Sequence, residues 1–135
     1  MAKRWEERIN DLENAINRLA EAIDDSKRYK IESLKDSVIQ RFEFSLELSW
    51  KAIKKYLNSE GVLEATTPKQ TIKEAFAKGV LDNAKPWIDM LNDRNLTSHT
   101  YSQNMANEIY INITENYFDE MKTVFEMLSK KEIDE

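Results

Sequence analysis

Apolar residues recur at alternating spacings of four and three along the first part of the chain. Because an α-helix turns by about 100° per residue, this spacing places them on one face of a helix. The first helix is predicted from about Lys3 to Asp24, before a polar connector at residues 25–27. A second stripe predicts a longer helix that ends at Gly61, since glycine readily adopts the left-handed backbone found at helix ends. The two stripes are Trp5, Ile9, Leu12, Ile16, Leu19 and Ile23, and then Ile31, Leu34, Val38, Phe42, Leu46, Trp50, Ile53 and Leu57.

A short third helix is predicted after this stop. Thr67 suits its N-cap and Pro68 its first turn, while Gln70 is placed to complete a capping box. The helix is expected to end at Gly79. Its predicted inward side chains are Ile72, Ala75 and Phe76.

A fourth and a fifth helix follow without a linker. Asp82 or Asn83 can cap the fourth helix, and Ser102 can cap the fifth, which is predicted to run to about Lys131. The predicted inward side chains are Trp87, Met90 and Leu91 in the fourth helix and Met105, Ile109, Ile113, Tyr117, Met121, Val124 and Leu128 in the fifth.

The composition agrees with a helical protein. Two glycines and two prolines in 135 residues leave few turns, and 33% charged residues provide long solvated faces. We therefore predict an all-α protein with a single domain over residues 1–135, an antiparallel up-and-down bundle of about five helices, four long and one short.

The second and last helices carry more apolar surface than one core requires. Phe44 and Leu48 point away from the main stripe of the second helix, and the last helix has the further apolar residues Tyr110, Ile111, Phe118 and Phe125. Both helices could be buried on several sides within the bundle. We favour a homodimer, because excess apolar surface on a small domain usually marks an association site.

Location and charge limit the classes of partner. The chain has no cysteine, its N-terminal segment is charged, and no stretch approaches the roughly 20 apolar residues of a membrane span, so we expect a soluble cytoplasmic protein. A net charge of −5 argues against a nonspecific nucleic-acid coat but leaves room for a local basic pocket. The candidate lysines, which could equally form a solvated face, are Lys51, Lys54, Lys55, Lys69, Lys73 and Lys78.

The only histidine, His99, lies in the string Asp93-Arg94-Asn95-Leu96-Thr97-Ser98-His99-Thr100-Tyr101. Imidazole exchanges protons near neutral pH, and the guanidinium of Arg94 offers a planar fork of donors to a phosphate. His99 and Arg94 together therefore indicate a reaction at a phosphodiester, although a single histidine is often a hydrogen-bonded structural group. Five residues separate Arg94 and His99 by some 140° on an unbroken helix. A helix break, a long reach by the arginine, or two motifs meeting across a dimer would bring them together.

The sequence lacks the residues that a metal site or a phosphate-binding loop would need. One histidine and no cysteine make a metal site improbable, and no Gly-rich loop is present to hold a nucleoside triphosphate. We expect neither a metal nor a cofactor, and no intrinsic nucleotidyltransferase activity.

Arg94-Asn95-x-x-x-His99-x-Tyr101 resembles the Arg-x-x-x-x-His-x-Tyr motif of the HEPN superfamily, specifically HepT-like toxins and the nucleotidyltransferase substrate-binding protein family. The segments at residues 39–51 and 68–76 also resemble that family, so the likeness covers nearly the whole chain. It implies a dimeric helical bundle paired with a separate minimal nucleotidyltransferase of the MntA type.

The resemblance also implies roles for individual residues. Arg94 and His99 would cut RNA without a metal, with support from Asp93, Asn95 and Ser98, and the partner would silence the toxin by transferring AMP to Tyr101. Judged by chemistry alone, Tyr101 is equally a packing residue. Two alternatives remain: a noncatalytic subunit that binds substrate or nucleotide for the partner, and a dimeric bundle whose motif serves only as structural hydrogen bonding. The RNA target and the stoichiometry with the partner are not set by the sequence.

Overall fold

A computed structural model describes residues 4–97 and 102–134 of the chain. Every regular element in these two ranges is a helix, which confirms the prediction of an all-α bundle. The elements are α1 (Trp5–Tyr29), α2 (Glu32–Ser59), α3 (Pro68–Ala77), α4 (Lys85–Thr97), α5 (Gln103–Asn112), a π-helical segment (Ile113–Tyr117) and α6 (Phe118–Leu128). The last three follow one another without a break and form the fifth rod of the bundle.

Helix α2 is the centre of the bundle, since it contacts α1, α3, α5 and α6. Helix α1 packs along α2 and also contacts α6, while α4 is held between α3 and the π segment. The core is formed by most of the inward residues predicted from the sequence, but Ile31, which precedes the first turn of α2, is exposed and Trp50 is only partly buried. The largest fully buried side chains of the core are Trp87, Phe42, Leu12, Leu19, Leu46, Ile53, Leu57, Ile72, Met90, Ile109, Ile113 and Met121.

The predicted connector at residues 25–27 is wrong, because α1 continues to Tyr29. Ser26 extends the inward face by one more turn and is only 7% exposed. Its hydroxyl donates to the carbonyl of Ile23 at 2.7 Å and lies 2.7 Å from the Tyr110 hydroxyl of α5. The helix instead ends at Lys30, which adopts the left-handed conformation with φ 53°. The polar residues 25–27 continue the helix because Ser26 is held by contacts with Ile23 and Tyr110.

The helix starts agree better with the sequence. The Thr67 hydroxyl accepts from the backbone N–H of Gln70 at 3.2 Å, and the Ser102 hydroxyl accepts from that of Met105 at 3.2 Å. Of the two candidates for α4, Asn83 supplies an oxygen that accepts from the Lys85 N–H at 3.0 Å. These side chains satisfy backbone donors that have no partner inside the helix.

Helix α3 departs from its prediction in two details. The Gln70 side-chain oxygen accepts from the Thr66 hydroxyl at 2.7 Å, so it is engaged one residue before the predicted capping box. Phe76 is half exposed, and the prediction that it points inward is wrong. Ile72 and Ala75 are buried as predicted, and Thr71 is buried beside them.

The π segment explains how the last rod keeps one face on the core. Its inward residues are spaced by four, and each such step on an α-helix overshoots a full turn by about 40°. A π-helical turn takes in an extra residue and so returns the stripe toward the core. Ile113 and Tyr117, at the two ends of the segment, are both buried. The stripe is Met105, Ile109, Ile113, Tyr117 and Met121.

Candidate active site

The last turn of α4 carries three of the predicted site residues, Asp93, Arg94 and Asn95. Thr97 closes this turn by donating from its hydroxyl to the Arg94 carbonyl at 2.8 Å. Asp93 and Arg94 are partly buried, whereas Asn95 is exposed. The predictions that concern Ser98, His99 and Tyr101 lie outside the described residues.

Asp93 faces the π segment. Its Oδ2 accepts from the Tyr117 hydroxyl at 2.6 Å and from the side-chain amide of Asn112 at 3.3 Å. Tyr117 is only 3% exposed, and its ring stacks on Phe42 of α2 with a centroid distance of 5.5 Å. Asp93 therefore fixes α4 to the π segment at the level where the candidate motif begins.

The environment of Tyr117 favours its neutral, hydrogen-bonding form. Burial is the largest factor that raises the pKa of the Tyr117 phenol, followed by its hydrogen bond to Asp93 and the negative charges of Asp93 and Asp89; the Asn112 side chain acts weakly in the opposite direction. A phenol with a raised pKa remains a donor at physiological pH. The Tyr117–Asp93 bond is thus a structural contact rather than a source of reactive phenolate.

Arg94 faces a different environment, an open groove of about 460 Å³ where α4 meets α2 and the start of α3. Arg94 and Asn95 contribute from α4, Trp50 from α2 and Lys69 from α3. The groove thus combines two cationic side chains, an amide and an indole. Its remaining lining residues are Leu46, Glu47, Thr67, Pro68, Ile88, Leu91 and Asn92.

Glu47 is the carboxylate of this groove. Its Oε2 accepts from the indole Nε1 of Trp50 at 3.1 Å, and its Oε1 lies 3.2 Å from the Lys51 ammonium. Partial burial alone would raise the pKa of Glu47, but the hydrogen bonds from Trp50 and Lys51 and the positive charges of Lys51 and Arg94 together hold that pKa below its usual value. Glu47 therefore stays ionised and balances part of the positive charge at Arg94.

The geometry divides the predicted site residues. Arg94 and Asn95 lie together on the groove, while Asp93 turns toward the π segment. Sequence reasoning named Lys69 as a candidate for a basic pocket but missed the groove residues Glu47 and Trp50, although both fall in the segment at residues 39–51 that carries the family resemblance. It also missed Tyr117 and Asn112 as the partners of Asp93.

Within residues 4–97 and 102–134, no three side chains of His, Asp or Glu come close enough together to hold a metal ion. In these ranges no helix has both the length and the apolar character needed to cross a bilayer.

A family model described as "Nucleotidyltransferase substrate binding protein like" matches residues 7–130. The chain belongs to this family. The match confirms the resemblance noted in the sequence, and the position of Arg94 on an open groove gives the family motif an accessible side chain.

One curated protein and two solved structures are also similar to this chain. A protein of Haemophilus influenzae strain Rd named "Probable ribonuclease HepT" is 32% identical over 97 residues, which span 69% of this chain and 66% of that relative. A crystal structure from Thermus thermophilus has a TM-score of 0.75 and 32% identity, covering 88% of this chain and 99% of its own. A structure of an H. influenzae protein, described as revealing "the fold of a substrate binding domain of a nucleotidyltransferase", has a TM-score of 0.80 and 26% identity, covering 90% of this chain and 99% of its own.

Proposed function

We propose that this chain is the HEPN-type toxin subunit of a two-component system and acts as a metal-independent endoribonuclease. The observation that carries the proposal is that Arg94, which belongs to the Arg94, His99 and Tyr101 set of the sequence, lines an open groove. A relative named as a probable ribonuclease supports it.

In the proposed reaction, Arg94 binds the scissile phosphate and stabilises the charge that develops on its oxygens. His99 takes the proton of the ribose 2′-hydroxyl, whose oxygen attacks phosphorus, and the bond from phosphorus to the 5′-oxygen breaks. The leaving oxygen takes a proton from an imidazolium or from water. The products are a 2′,3′-cyclic phosphate and a 5′-hydroxyl end. General acid–base help of this kind contributes about 10² to 10⁴-fold to the rate.

The supporting residues divide by position. Asn95, exposed beside Arg94 on the groove, is proposed to orient the substrate. Asp93 supports the site indirectly, because its bonds to Tyr117 and Asn112 fix the turn that carries Arg94. Ser98, next to His99 in the sequence, is proposed as a further hydrogen-bonding group.

We propose a minimal nucleotidyltransferase of the MntA type as the partner, and AMP transfer to Tyr101 as the silencing step. The partner would supply the ATP chemistry for which this chain has no phosphate-binding loop. Intact-mass measurement after incubation with the partner and ATP is expected to reveal added AMP on the wild type and none on Tyr101→Phe. Unchanged masses in both would remove the silencing step.

We also propose that this single domain, residues 1–135, forms a cytoplasmic homodimer. Phe44 and Ile111 remain 59% and 47% exposed on the outer faces of α2 and α5, whereas Leu48, Tyr110, Phe118 and Phe125 pack against the core. A dimer would bring two motifs together and supply a second imidazole. Light scattering is expected to give the molar mass of a dimer for the wild type and a lower average mass for Phe44→Ser, in which the dimer is weakened. A monomeric wild type would contradict the proposed dimer.

A noncatalytic subunit that presents substrate or nucleotide to a partner transferase is the second candidate. The family description and the wording attached to the H. influenzae structure favour it. Expression of the wild type beside His99→Ala, with and without the partner, separates the two. The toxin account predicts growth arrest and RNA loss only with the wild type expressed alone, whereas a binding subunit would be harmless in every combination.

A further inference from the structure

We propose that the groove beside Arg94 is a nucleotide subsite that takes one unstacked nucleotide of single-stranded RNA next to the scissile phosphate. The inference rests on the proposed nuclease function and restricts its substrate to unpaired RNA. The size of the groove and the side chains that line it fit one nucleotide.

The indole of Trp50 is the proposed stacking surface for the base. Its indole lines the groove and is partly exposed, whereas the other two tryptophans, Trp5 and Trp87, are 4% and 0% exposed. The hydrogen bond from Nε1 to Glu47 holds the indole in place. A fixed, accessible aromatic ring in a groove with cations is the arrangement on which single-stranded nucleic acids stack their bases.

The charged side chains of the groove favour a phosphodiester near Arg94 and Lys69. Arg94 and Lys69 provide two positive groups, while Glu47 is an ionised carboxylate. A phosphate is therefore attracted to Arg94 and Lys69, while Trp50 offers a face to the base and Leu46, Ile88 and Leu91 add apolar surface to the groove. The volume of about 460 Å³ suits one nucleotide rather than a stacked duplex. The subsite therefore predicts a preference for unpaired RNA.

The test uses the full-length chain with His99→Ala, so that RNA is bound but not cut, and a fluorescein-labelled hexaribonucleotide as the probe. Anisotropy gives the affinity, and quenching of tryptophan fluorescence by unlabelled hexamer reports contact with Trp50, since the other two tryptophans are buried. We expect saturable quenching by the single strand and much weaker binding of its duplex.

Two substitutions separate stacking from structure. Trp50→Phe and Trp50→Leu both lose the bond to Glu47, but only the first keeps an aromatic face. We expect Trp50→Leu to bind the hexamer at least about fivefold more weakly than Trp50→Phe. Lys69→Gln is expected to reduce the slope of log affinity against log salt concentration by about one, the value for one lost phosphate contact. Lys73→Gln removes the same charge from an exposed position of α3 and should leave this slope unchanged.

The outcomes are distinguishable. Equal affinities of the two Trp50 variants, or no quenching, would overturn the subsite even if wild-type protein cuts RNA. Trp50-dependent binding by a wild type that never cuts RNA would leave the subsite standing and remove the nuclease proposal. If Trp50→Leu weakens binding of the nucleotidyltransferase partner and not of RNA, the groove belongs to that protein and the subsite is wrong.

Discussion

Asp93 and Arg94 are adjacent in the sequence, yet they lie on different sides of the last turn of α4 and have opposite surroundings. Asp93 is engaged by Tyr117 and Asn112 at the π segment, with an aromatic stack behind it. Arg94 lines an open groove whose nearest carboxylate, Glu47, is shared with Trp50 and Lys51. Polar residues at one helix end can therefore serve two purposes: one face holds the helix, and the other is accessible to a ligand.

The largest effect is expected from Arg94→Ala. Loss of a positioned cationic donor should lower RNA cleavage by about 10² to 10³-fold. The free energy of unfolding should change by no more than about 0.5 kcal/mol, because the side chain lines an open groove. Cleavage assays and urea unfolding on the same preparation measure both. Arg94→Lys is the control, since it keeps the charge without the planar fork, and its cleavage rate should fall between those of the wild type and Arg94→Ala. A large loss of stability in Arg94→Ala would break the contrast with Asp93.

Tyr117→Phe should have the reverse profile. It removes a buried hydrogen bond to a carboxylate, which typically contributes about 1.5–3 kcal/mol, while the aromatic stack on Phe42 is retained. We expect a lower midpoint of urea unfolding and a cleavage rate per folded molecule that falls far less than in Arg94→Ala. Strong loss of cleavage with unchanged stability would place Asp93 and Tyr117 in the reaction and end the distinction between the two faces.

The contribution of Tyr117 should also depend on pH. Its pKa is raised in the folded chain, so above about pH 10 the unfolded chain loses this proton first. The stabilisation is therefore complete below that pH and is lost as the pH rises toward the folded-state pKa, at about 1.4 kcal/mol per pH unit. Urea unfolding of wild type and Tyr117→Phe should give stabilities that converge above about pH 10. A constant difference would mean that Tyr117 ionises normally.

The smallest effect is expected from Asn112→Ala. Its bond to Asp93 is 3.3 Å long and lies at the surface, so its loss should cost about 0.5 kcal/mol. The same urea measurement applies, with Asn116→Ala as a neighbouring control. A loss as large as that of Tyr117→Phe would indicate that the amide, rather than the phenol, anchors Asp93.

Much of the fold followed from local sequence signals. The apolar stripes predicted the five rods, and Thr67, Asn83 and Ser102 cap the helices as side-chain chemistry requires. The continuation of α1 past Asp24 could not be predicted, because it depends on Ser26 meeting Tyr110, a residue 84 positions away. The π segment did leave a sign in the sequence, the run of inward residues spaced by four.

The site was predictable only in part. Arg94 and Asn95 could be named from the motif, since residue types and their spacing indicate the chemistry. The hydrogen bonds of Asp93 could not be predicted, because a carboxylate at this position suits catalysis and anchoring equally. Only the position of Tyr117 beside it shows that Asp93 anchors the helix. Trp50 and Lys69 come from helices separated in sequence, and only the packing of α2, α3 and α4 brings them to Arg94.

The most direct test of the central claim is cleavage of a defined single-stranded RNA by the purified chain in the presence of EDTA, with the ends of the products identified. The account predicts fragments with 2′,3′-cyclic phosphate and 5′-hydroxyl ends from the wild type, and intact RNA with folded His99→Ala and Arg94→Ala. Equal cutting by His99→Ala, or intact RNA with the wild type, would contradict it.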